Sequence, residues 1–304
     1  MPAFSVCISC ETPLMAALIS LSLSFLHKLS LYFQLTKPRL SIVVVFSAVM
    51  GAMLAGMEGW EGVVWLLLGG YAITGAANAA NQVWERESDR LMERTRGRPL
   101  PAGLVSVGEG LGVSVILGLV GVLMLGALRW DVAAWGFLAW ALYVLAYTPL
   151  KRKGVLAVVV GALPGALPPV IGYWAVRPEA TPFLGWLFLL QFLWQFPHFW
   201  VIAWLAREDY ARAGFRMLPF AYQAAEKNRL ALLLSVWALP VGAVTGFFWG
   251  LPEGKVVWAL LLGLGVGMWA WRLLRTPTRR NLRLLLLSLT GYLTLLYLGL
   301  WLLS

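Results

Sequence analysis

The sequence predicts an all-α, polytopic membrane protein with nine transmembrane helices. Of its 304 residues 60% are hydrophobic and only 12% are charged, and the mean hydropathy is +0.77. A water-soluble surface is not built from such a composition. Apolar stretches long enough to cross roughly 30 Å of hydrocarbon also recur along nearly the whole chain.

These stretches fall at 39–57, 62–83, 110–128, 132–150, 155–175, 183–206, 229–250, 256–274 and 283–303. Each must be helical, because lipid offers the backbone no hydrogen-bond partners. The earlier segment 14–26 is apolar but short, ends at His27 and Lys28, and has no basic residue before it. It fits neither a span nor a secretory signal. Residues 1–36 are read as an accessory, interfacial extension and 37–304 as the membrane domain. Cys7 and Cys10 form a CxxC pair in that extension. With no second pair, incidental thiols are favoured over metal or redox chemistry.

A net charge of +10 would suit nucleic acid, but the basic residues follow the loops instead. Lys28, Lys37 and Arg39 precede the first span, and Arg86, Arg90, Arg94, Arg96 and Arg98 follow the second. The same side receives Lys151, Arg152 and Lys153, then Arg207, Arg212, Arg216, Lys227 and Arg229, then Arg272, Arg275, Arg279, Arg280 and Arg283. Of the 24 basic residues, only Arg129, Arg177 and Lys255 fall on the other side. The positive-inside rule makes the rich side cytoplasmic, with the N-terminus inside and Ser304 outside. The partner implied is the lipid bilayer; no nucleic acid is expected.

The acids gather on that cytoplasmic side. Asn81, Glu85, Asp89 and Glu93 recur every four positions and so share one helical face. Like charges at this spacing repel, and a hard cation such as Mg²⁺, which takes carboxylate, amide and phosphate oxygens, relieves the repulsion. The plainer reading is a solvated helix end pairing Arg86 with Asp89 and Arg90 with Glu93, and spacing alone favours it. A second acidic pair, Glu208 and Asp209, shifts the balance by continuing the sixth span on the same membrane side.

Gln191, Gln195, His198 and Asp209 project onto roughly one helical stripe. Together with Asn78 and Asn81 they suggest an enclosed polar pocket, because polar groups inside a bilayer are costly unless they face a cavity or pair. Hydrogen bonding between helices is the competing account. Arg94, Arg98, Lys151 and Arg152 share the acidic side and could neutralise diphosphate oxygens, though each alone would serve as a positive-inside anchor. The aromatic run QFLWQFPHFW offers ring faces for an allylic cation or a flat macrocycle, or simple packing.

Several stretches together resemble one family. Asn81-Gln-Val-Trp-Glu85-Arg-Glu-Ser-Asp89, continuing through Arg94-Thr95, Arg98-Pro99-Leu100 and Gly103, resembles the first signature of the heme O synthases, which are UbiA-type intramembrane prenyltransferases. YTPLKR (Tyr147 to Arg152) with GALPGALPPVIGYW is similar to their central signature, and WQFPHFW with EDYARAGFRMLP to their third. The matches cover about residues 34–220 in the family's order. The superfamily's NxxxDxxxD has Glu85 at its middle position here, and usually polar positions after YTPLKR hold Gly154 and Ala157.

The resemblance implies nine helices around a central active-site cavity, and farnesyl diphosphate bound through Mg²⁺ by Asn81, Glu85, Asp89 and Asp209, with Glu208 near. It further implies that Lys151, Arg152, Arg94 and Arg98 assist, that Tyr147 and Gln195 line the substrate site, and that His198 lies near the porphyrin. The implied reaction farnesylates the C2 vinyl group of heme B to give heme O, with heme A synthase or the terminal oxidase assembly pathway as the implied partner. The implied location is a bacterial inner membrane. A UbiA-type enzyme acting on a quinone precursor or chlorophyllide is the nearest alternative, and a transporter a distant one.

Overall fold

A computed structural model describes residues 25–304, all of whose regular structure is helical. Cys7 and Cys10 lie outside the described residues. The helices are α1 (Phe25–Leu35), α2 (Pro38–Leu54), α3 (Trp60–Trp84), α4 (Arg86–Arg90), α5 (Val107–Leu128) and α6 (Trp130–Ala141). A π-helix (Leu142–Tyr147) and α7 (Thr148–Leu150) continue α6, and then come α8 (Val155–Val176), α9 (Pro182–Leu205), α10 (Arg207–Arg212), α11 (Ala225–Phe248), α12 (Glu253–Leu274) and α13 (Arg279–Leu302). Among the described residues 8 helices are long and apolar enough to cross a membrane, or 9 when the bent pair α1 and α2 is one span. The chain is an integral, multi-pass membrane protein; the ends of the eight straight spans differ from those expected by about one turn or less, whereas the bent first span begins at Phe25 rather than at 39.

Local chemistry explains where the helices begin. Ser106 and Glu109 form a reciprocal capping box at the start of α5, while Thr181 and Thr278 cap α9 and α13 through their side chains. The first span departs from a simple helix. Phe25–Leu35 and Pro38–Leu54 meet at 51° around Lys37, whose φ of 48° is the only positive value at a non-glycine residue among those described. Pro38 cannot extend a preceding helix, so the break lies where the sequence puts it.

Small residues set how closely the spans approach. A Cβ added at Gly51 would overlap the Pro169 carbonyl, and one at Gly172 the Ala48 carbonyl, so α2 and α8 pack backbone to backbone. Gly121 of α5 meets the Ile73 backbone of α3 in the same way.

Helix α8 contains Pro164, Pro168 and Pro169, and Pro169 has no N–H to return to the Gly165 carbonyl one turn earlier. That orphaned oxygen accepts from Gln195 Nε2 at 2.8 Å and from Gln191 Nε2 at 3.2 Å. Gln191 Oε1 in turn accepts from Tyr297 Oη of α13 at 2.7 Å. The two glutamines therefore bolt α9 to the broken turn of α8, as the interhelical account of the polar stripe expects.

Candidate active site

The acidic segment runs through the end of α3 and into α4. Helix α3 stops at Trp84 because Glu85 leaves helical geometry (φ −95°, ψ 7°), and α4 restarts at Arg86. The four-residue rhythm survives the break. Glu85 N–H donates to Asn81 O at 2.9 Å, and Asp89 N–H to Glu85 O at 2.7 Å. Asn81, Glu85 and Asp89 therefore keep one buried face, being 1%, 6% and 1% exposed. Glu93 leaves the row because α4 ends at Arg90, and it is exposed.

The arginines do not pair as their spacing suggests. Arg86 and Arg90 both bond Glu87, which lies on the exposed side of α4. The buried acids take partners from outside their own helix: Arg98 Nη1, in the following loop, donates to Asp89 Oδ2 at 2.9 Å, and Lys151 Nζ lies 2.8 Å from Glu85 Oε1. Burial opposes the Lys151 charge most strongly, but the Glu85 carboxylate, Tyr143 and Tyr210 together hold the amine above the ordinary lysine range. Arg152 Nη2 donates to buried Ser88 Oγ at 3.0 Å.

The π-helix delivers several of these groups together. Its wider turn puts the Tyr143 and Tyr147 rings 5.3 Å apart, with Lys151 Nζ 4.8 Å above the Tyr147 ring. Thr148 Oγ1 donates to Tyr143 O at 2.8 Å and accepts from Asn81 Nδ2 at 3.1 Å. Single π turns commonly mark functional sites. Asn81 Oδ1 accepts from Lys37 Nζ at 3.2 Å, so both ends of that amide are engaged.

Asp209 occupies a different part of the same end of the molecule. The span breaks at Ala206, and α10 carries Asp209 to the loop after α4, where it accepts from the Glu93 and Arg94 amides at 3.0 and 3.4 Å. Arg212 pairs with Asp209 and also donates to Leu91 O at 3.2 Å. Burial works against the Asp209 charge, yet the two amides and Arg212 together hold its carboxyl below the ordinary aspartate value. Arg94 thus meets Asp209 through its backbone. Glu208 is exposed and pairs with Arg207 and Arg279.

Among the described residues, no three His, Cys, Asp or Glu side chains gather at metal-binding distance. What the site offers a cation is two carboxylates and one amide oxygen on a single face. That all-oxygen donor set is the kind a hard cation takes. The Lys151 ammonium lies within 2.9 Å of both Glu85 oxygens, so this buried carboxylate is already charge-paired.

From Lys151 a row of rings leads into the membrane. Tyr147 lies 5.6 Å from Phe199, Phe199 6.3 Å from His198, and His198 stacks on Trp194 at 4.5 Å. Trp194 is fixed by donating Nε1–H to Leu289 O at 2.7 Å. His198 Nδ1 is buried without a partner among the described residues. An imidazole so placed has an unused valence inside the bilayer.

Comparison with known proteins fixes the family. The profile of the UbiA prenyltransferase family matches residues 44–303. The chain belongs to that family. It is 39% identical over 274 residues to the protoheme IX farnesyltransferase of Christiangramia forsetii, covering 88% of this chain and 91% of the other. The UbiA fold is equally clear in space: a structure of digeranylgeranylglyceryl phosphate synthase superposes with TM-score 0.70 at 16% identity over 91% of this chain and 98% of that one. A UbiA homologue from Archaeoglobus fulgidus, bound to GPP and Mg²⁺, gives TM-score 0.64 at 14% identity over 89% and 99%.

Membership makes the chain a prenyltransferase and removes the transporter alternative. The structure also brings to this cluster residues that the sequence does not single out for it: Lys37, Ser88, Tyr143, Thr148 and Phe215, the last 5.8 Å from Lys151 Nζ. Lys37 stood in view only as a membrane anchor, although a lysine before the first span's proline was a usable signal. Tyr143 had none, since a π turn leaves no trace in hydrophobic periodicity.

Proposed function

We propose that this UbiA-family chain is a protoheme IX farnesyltransferase, which converts heme B, farnesyl diphosphate and water to heme O and diphosphate. The observation that carries the diphosphate half is the buried row of Asn81, Glu85 and Asp89 on one face, ringed by Arg98, Lys151 and Arg152. Glu85, Asp89 and the Asn81 amide oxygen would hold Mg²⁺. The ion, when bound, supplies positive charge to the diphosphate oxygens and so eases departure of the leaving group.

The chain's own groups do the rest. Arg98 and Lys151 turn from carboxylate to diphosphate oxygens and stabilise the charge that grows there as the C1–O bond of the farnesyl group breaks. The Tyr147 and Tyr143 faces stand beside the allylic cation, and the apolar wall excludes water that would quench it. The π electrons of the C2 vinyl group attack C1. Water then adds to the resulting cation and loses a proton, leaving a hydroxyl. Asp209 keeps the 91–96 loop closed across the site, and its oxygens reach an ion only on releasing Glu93 and Arg94.

The acceptor half rests on the 39% identity across 88% of the chain and on the unpartnered His198, one flat ring beyond Phe199. Residues 37–304 form the catalytic unit and 1–36 its extension. The charge segregation supports a site on the cytoplasmic face of a bacterial inner membrane, and the heme O product suits heme A synthase or the terminal oxidase assembly pathway downstream. The test is conversion by the purified chain, with farnesyl diphosphate and Mg²⁺, of heme B to a more hydrophobic heme whose mass has gained a farnesyl and a hydroxyl group. Prenylation of a quinone precursor or chlorophyllide with heme B left untouched sinks the heme assignment and leaves the prenyltransferase standing.

A further inference from the structure

Lys37 combines two conformational costs at one position. Its φ of 48° and ψ of 65° are left-handed, a region that favours glycine, and the next residue is Pro38, which disfavours compact geometries before it. Such a residue persists only where the surroundings fix it. Here they do so from α3, one turn before the acidic site. Gln82 Nε2 donates to Leu35 O at 2.7 Å and Asn78 Nδ2 to Thr36 O at 3.2 Å, which satisfies the carbonyls that the end of α1 exposes. Ser41 Oγ adds a bond to Thr36 O at 2.6 Å. On the far side, Leu31 and Leu35 pack against Ala79, Leu100 and Val105, and Lys28 pairs with Glu109.

The bracketed break aims the Lys37 side chain inward, to Asn81 Oδ1, among Glu85, Asp89, Arg98 and Lys151. Arg98 and Lys151 each have a carboxylate there, whereas Lys37 has only a neutral amide oxygen. With Arg152, four cations face two carboxylates, an excess of positive charge that a bound anion would neutralise. A lysine placed solely as a membrane anchor would extend to water and lipid headgroups, with no need of a left-handed backbone.

We propose that Lys37 is a substrate-contacting residue, its ammonium passing from Asn81 to a diphosphate oxygen when the prenyl diphosphate binds. This inference rests on the diphosphate site assigned above to Asn81, Glu85 and Asp89. Its release of Asn81 Oδ1 couples anion binding to exposure of an oxygen on the metal-binding face. The bend between α1 and α2 is the device that holds the amine at the site.

The test uses inorganic pyrophosphate with Mg²⁺, titrated calorimetrically into the full chain in lipid nanodiscs. Lys37→Asn keeps a residue that tolerates the left-handed backbone while removing the charge, and Lys37→Arg keeps the charge. The expected result is at least about tenfold weaker binding for Lys37→Asn and a loss of no more than about threefold for Lys37→Arg, consistent with a charge-assisted bond. Lysine methylation of the wild-type chain, read by mass spectrometry, needs no variant to fold: Mg²⁺ and pyrophosphate should protect Lys37 and leave exposed Lys227 reactive. Wild-type binding by Lys37→Asn, or no protection of Lys37, overturns the inference. Asp89→Ala separates the two claims, because wild-type binding in that variant overturns the site itself and the inference with it, whereas its loss of binding leaves the site intact whatever Lys37 does.

Discussion

At the scale of single residues, charge placement decides the chemistry. Glu85 and Asp89 stay buried because each is paired with a basic group from outside its own helix, and removing one carboxylate leaves that basic group unbalanced. Asp89→Ala should lower turnover about 100-fold or more, a loss comparable with removing one preorganised electrostatic contact. Steady-state assay of heme farnesylation checks this, and near-normal turnover would take Asp89 out of the site. Glu85→Asp should retain partial activity where Glu85→Gln is inactive, since the first keeps the charge and gives up one methylene of reach. Equal activities would show that charge is not what the position supplies. His198→Ala should depress heme conversion while pyrophosphate affinity stays within about twofold, because His198 is separated from Lys151 by Tyr147 and Phe199. Equal loss of both properties would place His198 in the diphosphate site instead.

At the scale of elements, breaks in the helices matter more than the helices. The turn at Lys37, the loss of helical geometry at Glu85, the π-helix before Lys151, the proline-opened turn at Gly165 and the break at Ala206 each release backbone groups or redirect a side chain. Asp209 illustrates the consequence, since α10 exists as a separate piece that carries its carboxylate to the 91–96 loop. Its pKa is lowered from 3.8, so its contribution to loop closure is complete above that value and is lost as pH falls through the lower folded pKa. Asp209→Asn should therefore speed amide exchange across 91–96 at pH 7, and the difference from wild type should shrink as pH falls below the ordinary aspartate range. Identical exchange at pH 7 would show that the carboxylate does not hold the loop.

At the scale of the whole molecule, the spans alternate so that the 95–103 and 210–226 loops leave the membrane on one side and the 177–181 loop on the other. With Cys7 and Cys10 replaced, single cysteines at the exposed positions Gly97 and Gln223 should react with an impermeant thiol reagent only from the cytoplasmic face, and one at Glu179 only from outside. Labelling of Gly97→Cys and Gln223→Cys from the outer face of intact cells would invert the assigned topology.

Hydropathy and charge bias alone determined the helical class, the spans and their expected orientation, because lipid solvation and backbone hydrogen bonding leave few other solutions. The motif residues Asn81, Glu85, Asp89, Lys151 and His198 were legible too, since their types and spacing lie within short segments. The pairing of Asp89 with Arg98 and of Glu85 with Lys151, the diversion of Gln191 and Gln195 to the Gly165 carbonyl, and the inward turn of Lys37 were decided only by tertiary structure. Each joins groups from separate elements or depends on a local break. Sequence periodicity records which face a residue takes on an ideal helix, whereas these contacts arise where the helix stops being ideal and an orphaned backbone group or buried charge takes whatever partner the packing brings near.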